Sequence, residues 1–266
     1  PDDIFFCENG SFKIGRSHIG EADNHQFGWL TLRNIIAKSS NIGAIKIAQK
    51  LGENRFFGYM QNFGFGNKLG VDLPGEATGS LQNLPQWSGL SLASMSFGHE
   101  VAVTPIQMVS AIAAIANGGT LVRPRMTQSI LKNGVIEKTF EPEVIKTVLS
   151  EKTSRQMINI LKSVVKTGTG AKAAIPGFEV AGKTGTAQKI DPATQSYSKT
   201  KYLASFIGFV PADAPRLVIL VMIDEPKKSY WGGEVAAPVF QKIARKTLRY
   251  LHVPSSLDRV FVLDRV

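Results

Sequence analysis

Apolar positions recur along this chain at two spacings, helical in its first half and strand-like later. Thr31 can cap a helix that carries Leu32, Ile35 and Ile36 on one side, until Ser39-Ser40-Asn41 breaks the pattern. A second helical pattern runs through Ile42, Ile45 and Ala48 to Leu51-Gly52, with Gly52 as its stop. A short aromatic helix over Arg55 to Phe63 is closed by Gly64 and Gly66. Residues 1–30, rich in Gly, Asp, Asn and His, read as loop, and 67–98 as turns punctuated by Pro74-Gly75, Gly79, Pro85, Gly89 and Gly98. Thr104-Pro105-Ile106-Gln107 then opens a helix with a cap, a proline at the first position and a capping box. The run Met108 to Ala116 is apolar nearly all round, which predicts a buried helix ended by Asn117-Gly118-Gly119.

Leu131 to Ile136 reads as a hairpin about Asn133-Gly134. Residues 151–165 form a helix with Met157, Ile160, Leu161, Val164 and Val165 on one face. Phe178 to Ala181 enters a strand, and Leu203 to Val210 and Leu217 to Asp224 are two apolar strands. The short link Pro211 to Pro215 permits only an antiparallel pair. A last helix follows Pro238, with Phe240, Ile243, Ala244, Leu248 and Leu251 expected to face inward. Asp258-Arg259-Val260 and Asp264-Arg265-Val266 repeat a tripeptide too short to count as an internal repeat. Helices first, then antiparallel strands and a covering helix, make this α+β.

The chain has 266 residues, 43% hydrophobic and 20% charged, which excludes disorder and allows a sizeable core. Its net charge of +10 is read either as a basic surface or as attraction to something anionic, but no run of like charges or basic–aromatic repeat points to nucleic acid. Cys7 is the single cysteine, and His18, His25, His99 and His252 are too scattered for a ligand set, so no metal is expected. No stretch approaches the ~18 apolar residues of a membrane span. Pro1-Asp2-Asp3 does not resemble a natural start, so the expectation is a fragment whose upstream part is missing.

Gly177 to Thr184 matches the phosphate-loop string G-x-x-x-x-G-K-[ST], which raises a nucleotide triphosphatase as a rival reading. Such a loop must lead from a strand into a helix whose amides face the phosphates. Ala173-Ala174-Ile175-Pro176 is a poor central strand, and Gly185 to Pro192 a poor helix. Along a strand the same residues serve better: Lys183 and Gly185 alternate with Thr184 and Thr186, glycine admits a substrate backbone, and hydroxyls with an ammonium suit a carboxylate. A polar edge strand with a glycine bulge explains the tetrapeptide equally well by itself. Lys166-Thr167-Gly168-Thr169 repeats it, but directly after a helix, with Gly168 as the stop, and is rejected as a site. Ser39-Ser40-Asn41 is either a helix cap or a hydroxyl and an amide presented together at a helix junction.

Taken jointly, Ser39-x-Asn41 and Lys183-Thr184-Gly185-Thr186 resemble the second and third motifs of penicillin-binding proteins and serine β-lactamases. Ser39-Ser40-Asn41-Ile42-Gly43, Leu73-Pro74-Gly75-Glu76, Ser96-Phe97-Gly98, Val103 to Met108, Ala116 to Gly119, Ala181 to Gln188 and Ala236 to Phe240 look like class B penicillin-binding proteins, most of all the division-specific FtsI type. The resemblance covers about residues 5 to 254 and implies a penicillin-binding/serine β-lactamase-like transpeptidase fold, N-terminally truncated, with an antiparallel sheet flanked by helices and a helical subdomain. It divides the chain at about 1–165, mostly helical, about 166–254, the sheet and C-terminal helix, and a 255–266 tail. The family's S-x-x-K motif, which holds the nucleophile, is expected upstream. Ser163-Val164-Val165-Lys166 and Ser196-Tyr197-Ser198-Lys199 fit the string in the wrong order, the first at a helix end and the second in a polar loop.

The resemblance implies a serine acyl-enzyme formed on a stem peptide ending in D-Ala-D-Ala. In it Ser39 relays a proton to the leaving amine, Lys183 orients Ser39, Asn41 holds the peptide amide, and Thr184 and Thr186 bind the terminal carboxylate across Gly185. The Thr186 N–H supplies half of an oxyanion hole, a donor worth about 3–4 kcal/mol. Implied partners are β-lactam antibiotics and membrane-anchored division proteins, at the extracytoplasmic face of the membrane, with no cofactor and no nucleic acid. A related β-lactamase or antibiotic sensor, or a non-catalytic scaffold, stays open at this point.

Overall fold

A computed structural model describes residues 1–191, 193–194 and 196–256, so the repeated Asp-Arg-Val tripeptides lie outside the described residues. Residues 1–30 are not the loop their composition suggested. They hold strands β1 (Ile4–Phe6), β2 (Ser11–Ile14), β3 (Ser17–Gly20) and β4 (Trp29–Thr31), with β1 paired to β4 and β2 to β3. Strands of three or four residues are too short for alternation to stand out from the surrounding polar residues. Helix α1 (Leu32–Lys38) and helix α2 (Asn41–Leu51) follow as patterned. Thr31 Oγ1 accepts the Asn34 N–H, and Ser40 Oγ caps α2 by accepting the Gly43 N–H at 2.9 Å.

Helix α3 (Glu53–Asn62) leads into the turn-rich region, which also contains β5 (Ser80–Leu81), the unforeseen helix α4 (Ser91–Ser96) and β6 (Val101–Ala102). Helix α5 (Pro105–Ala116) has the full capping box at Thr104 and Gln107. Buried Gln107 then spends its amide on the carbonyls of Gly64, Asn67 and Thr78, which pins the turns to the helix. Strand β7 (Thr120–Val122), the hairpin β8 (Ser129–Lys132) and β9 (Val135–Thr139) about Asn133-Gly134, and β10 (Val144–Thr147) precede helix α6 (Glu151–Thr167).

Strands β11 (Ala181–Asp191), β12 (Ser196–Val210) and β13 (Leu217–Asp224) form an antiparallel sheet in that order, so β11 lies at an edge. Helices α7 (Gly232–Val235) and α8 (Ala237–Tyr250) close the chain. Residues alternate along β12 between two cores. Phe206 and Val210 pack with Phe240, Ala244 and Leu248 of α8, the Phe206 and Phe240 rings edge-on at 4.8 Å. Phe209 faces the other way, with Ala181, onto Ile115 of α5 and Leu161 of α6. The sheet is therefore sandwiched between helices, and β11 has a fixed base on which to present polar side chains.

Two further expectations change. Ile243 and Leu251 do not face inward but are 44% and 43% exposed. The buried stripe of α8 is Phe240, Ala244 and Leu248, and Ile243 sits about 100° from its middle. Ser196 to Lys199 is not a polar loop but the start of β12, whereas Gly185 to Asp191 continues β11, in line with the strand reading of Lys183 to Thr186. The phosphate-loop string thus runs from a turn into a strand, in an antiparallel sheet, with no helix to present amides to a phosphate. That geometry overturns the triphosphatase alternative.

Candidate active site

The α1–α2 junction and the β11 edge meet in one cleft of about 590 Å³. Ser39, Asn41, Lys183, Thr184, Gly185 and Thr186, all singled out from the sequence, line it. What brings the two parts together is the crossing of α1 and α6. The Thr169 N–H, just past α6, donates to the Ala37 carbonyl of α1 at 3.1 Å. A Cβ at Gly168 would lie 2.2 Å from that same carbonyl, so only glycine permits the approach. Two residues after Ala37, Ser39 takes left-handed backbone angles, φ 58° and ψ 45°. Such a conformation costs a non-glycine residue about 1–3 kcal/mol, and the surrounding contacts must hold it.

Lys183 Nζ donates to Ser39 Oγ at 2.7 Å and to the Thr184 carbonyl at 3.1 Å. No carboxylate pairs with it among the described residues. Burial without a counter-charge disfavours the ammonium and pushes the amine from its ordinary 10.5 down to about 8. A lysine so tuned near neutrality is suited to steering a proton at the hydroxyl it touches.

Asn41 Nδ2 donates to the Gly20 carbonyl at 3.1 Å. Its Oδ1 is left as an acceptor that can take a peptide N–H. Thr184 Oγ1 pairs with Thr169 Oγ1 at 2.7 Å, and Thr186 Oγ1 accepts the Gly232 N–H at 3.2 Å. That bond uses one lone pair of the Thr186 oxygen and leaves its proton to offer a carboxylate. Gly185 has an internal reason to be glycine: a Cβ there would meet Ser205 Oγ of the neighbouring strand at 2.4 Å.

Sequence reasoning missed several cleft residues. Thr169 belongs to the rejected tetrapeptide Lys166-Thr167-Gly168-Thr169, yet it lines the cleft and bonds Thr184. The lysine of that tetrapeptide does turn away, pairing with Glu179 at 2.7 Å. Glu21 and Phe97 also line the cleft. Trp231 and Gly232 form one wall, where a Cβ at Gly232 would lie 2.1 Å from the Ser205 carbonyl. Neither Ser163 nor Ser196 of the two S-x-x-K strings lines it. Ser163 Oγ donates to the Ile160 carbonyl of its own helix.

The family model for the penicillin-binding protein transpeptidase domain matches residues 1–245. The chain is 38% identical to penicillin-binding protein PbpB of Mycolicibacterium smegmatis over 97% of its own length and 41% of that protein's. It is 42% identical to stage V sporulation protein D of Bacillus subtilis, over 88% of this chain and 36% of that protein. It therefore spans well under half of either relative. Among solved structures, penicillin-binding protein 3 of Mycobacterium tuberculosis, complexed with aztreonam, superposes with a TM-score of 0.88 at 34% identity, over 96% of this chain and 59% of that one. The apo transpeptidase domain of penicillin-binding protein 3 from Burkholderia pseudomallei gives 0.84 at 35% identity, over 96% and 74%. The family model spans most of the chain and the folds superpose closely, and the chain belongs to the penicillin-binding protein transpeptidase family.

Proposed function

We propose that this chain supplies two walls of a peptidoglycan D,D-transpeptidase site, which cross-links stem peptides ending in D-Ala-D-Ala and is acylated by β-lactams. The observation that carries this is the 2.7 Å bond from Lys183 Nζ to Ser39 Oγ at the foot of a peptide-sized cleft. By family likeness the nucleophile is the serine of a serine–x–x–lysine motif, and neither such string in this chain has its serine in the cleft.

In the reaction, the nucleophilic oxygen bonds to the carbonyl carbon of the penultimate D-Ala and gives its proton to its own motif lysine. The C–N bond to the terminal D-Ala breaks, and the leaving nitrogen takes a proton from Ser39 Oγ, which Lys183 replenishes. An acceptor amine then attacks the acyl carbonyl carbon and gives its proton through Ser39 back to Lys183, and as the ester C–O bond breaks the motif lysine returns its proton to the serine oxygen. Asn41 holds the donor peptide, while Thr184 and Thr186 take the terminal carboxylate. Two relatives are named probable peptidoglycan D,D-transpeptidases, at 34% and 35% identity, which supports the reading. A septal role, membrane-anchored division partners and an extracytoplasmic location complete the proposal by family likeness.

The test is fluorescent-penicillin labelling of the full-length protein. Ser39→Ala and Lys183→Ala should each reduce acylation to near background while Lys166→Ala acylates normally. Wild-type labelling by the first two would overturn the assignment.

A further inference from the structure

Glu21 is a carboxylate only 7% exposed, without a cationic partner among the described residues. Such a group must be held by hydrogen bonds. Its Oε1 accepts the Ser40 hydroxyl at 2.5 Å, and its Oε2 accepts the Asn41 N–H at 2.6 Å. The preceding carbonyl, Gly20, accepts Asn41 Nδ2 at 3.1 Å. Three bonds from two consecutive residues thus close on the Ser40–Asn41 peptide, next to the left-handed Ser39. Asn41 opens α2, so the carboxylate also sits on a helix N-terminus, where negative charge is favoured.

We infer that Glu21 is a positioning residue that clamps the Ser39-Ser40-Asn41 turn, fixing Ser39 Oγ against Lys183 and aiming Asn41 into the cleft. This rests on the transpeptidase reading above. Ser40 completes the clamp: its oxygen accepts the Gly43 N–H while its proton goes to Glu21, so cap and clamp share one hydroxyl. Without the carboxylate, the Ser40 hydroxyl and the Asn41 N–H both lose their partner, and the turn is free to leave its unfavourable backbone angles. Glu21→Gln keeps the shape and one acceptor, for Asn41, but its amide must reverse the bond to Ser40.

The experiment measures the second-order rate of acylation by fluorescent penicillin in the full-length protein, with exhaustive labelling to count competent molecules. Glu21→Ala should acylate roughly 10- to 100-fold more slowly per competent molecule, and Glu21→Gln should lose less. Combining Glu21→Ala with Ser40→Ala should cost no more than the worse single change, because both open the same clamp. A wild-type rate for Glu21→Ala, or a loss confined to the count of competent molecules, overturns the inference. Should Glu21→Ala not fold, wild-type rates for both Glu21→Gln and Ser40→Ala overturn it. Wild-type acylation by Ser39→Ala and Lys183→Ala would instead sink the transpeptidase reading itself, whereas their loss with Glu21→Ala unimpaired removes only the clamp.

Discussion

Lys183 Nζ lies 2.7 Å from the Ser39 hydroxyl, a contact between residues 144 apart in the chain. Lysine and arginine are not equivalent here, since a compact amine reaches both Ser39 Oγ and the Thr184 carbonyl, which a planar guanidinium cannot reproduce in the same space. Lys183→Arg in the full-length protein should therefore acylate at least about 10-fold more slowly than wild type, a test of geometry with charge kept. The measurement is the acylation rate with a chromogenic cephalosporin.

The amine's depressed pKa sets a pH window. As the ammonium, Lys183 contributes positive potential and donates to Ser39, and it loses its proton near pH 8. Acylation should decline as pH rises through about 8, and a Lys183→Arg variant should lack that decline even at its lower rate.

Stability follows the same group with a worked sign. The folded pKa lies below the unfolded 10.5, so between about 8 and 10.5 the unfolded chain binds the extra proton. The burden of the buried charge is complete below pH 8 and lifts across that interval. Relative to Lys183→Met, the wild type should gain stability from pH 8 to pH 10.5, read as a rising difference in thermal midpoint.

Gly168→Ala puts a methyl 2.2 Å from the Ala37 carbonyl, with the Val164 carbonyl also at 2.9 Å. Backbone must move, at a cost of about 1–3 kcal/mol. Denaturant unfolding should register that loss. Acylation per folded molecule should fall as well, since this crossing sets where Ser39 lies.

Phe240→Ala empties the fully buried contact with Phe206 and should destabilise by about 3–5 kcal/mol. The 266-residue chain by itself, incubated with fluorescent penicillin, should form no covalent adduct. A stable adduct at any serine would place the nucleophile inside it.

Much of this was legible because long elements carry their own period. Residues 151–165 and the pair Leu203–Val210 and Leu217–Asp224 announced themselves by spacing, and the Thr104 capping box by local chemistry. The strands in residues 1–30 were not legible, because three-residue strands depend on partners distant in sequence. The motif residues were readable as a family likeness. Glu21 was not, because a lone acid in a polar stretch says nothing until its burial beneath Ser40 is seen. Thr169 was discounted because the repeat around it follows a helix. That position is what carries its hydroxyl to Thr184.

On the transpeptidase reading proposed above, the close crossing at Gly168 and Ala37 has a consequence for drug resistance. Neither residue lines the cleft, although their neighbours Lys38 and Thr169 do. Yet the Thr169–Ala37 bond holds α1 two residues before Ser39, and so bears on the geometry that a β-lactam would meet on that reading. Antibiotic selection can consequently act on a position that no antibiotic touches, trading a little fold stability for a site that the drug fits less well.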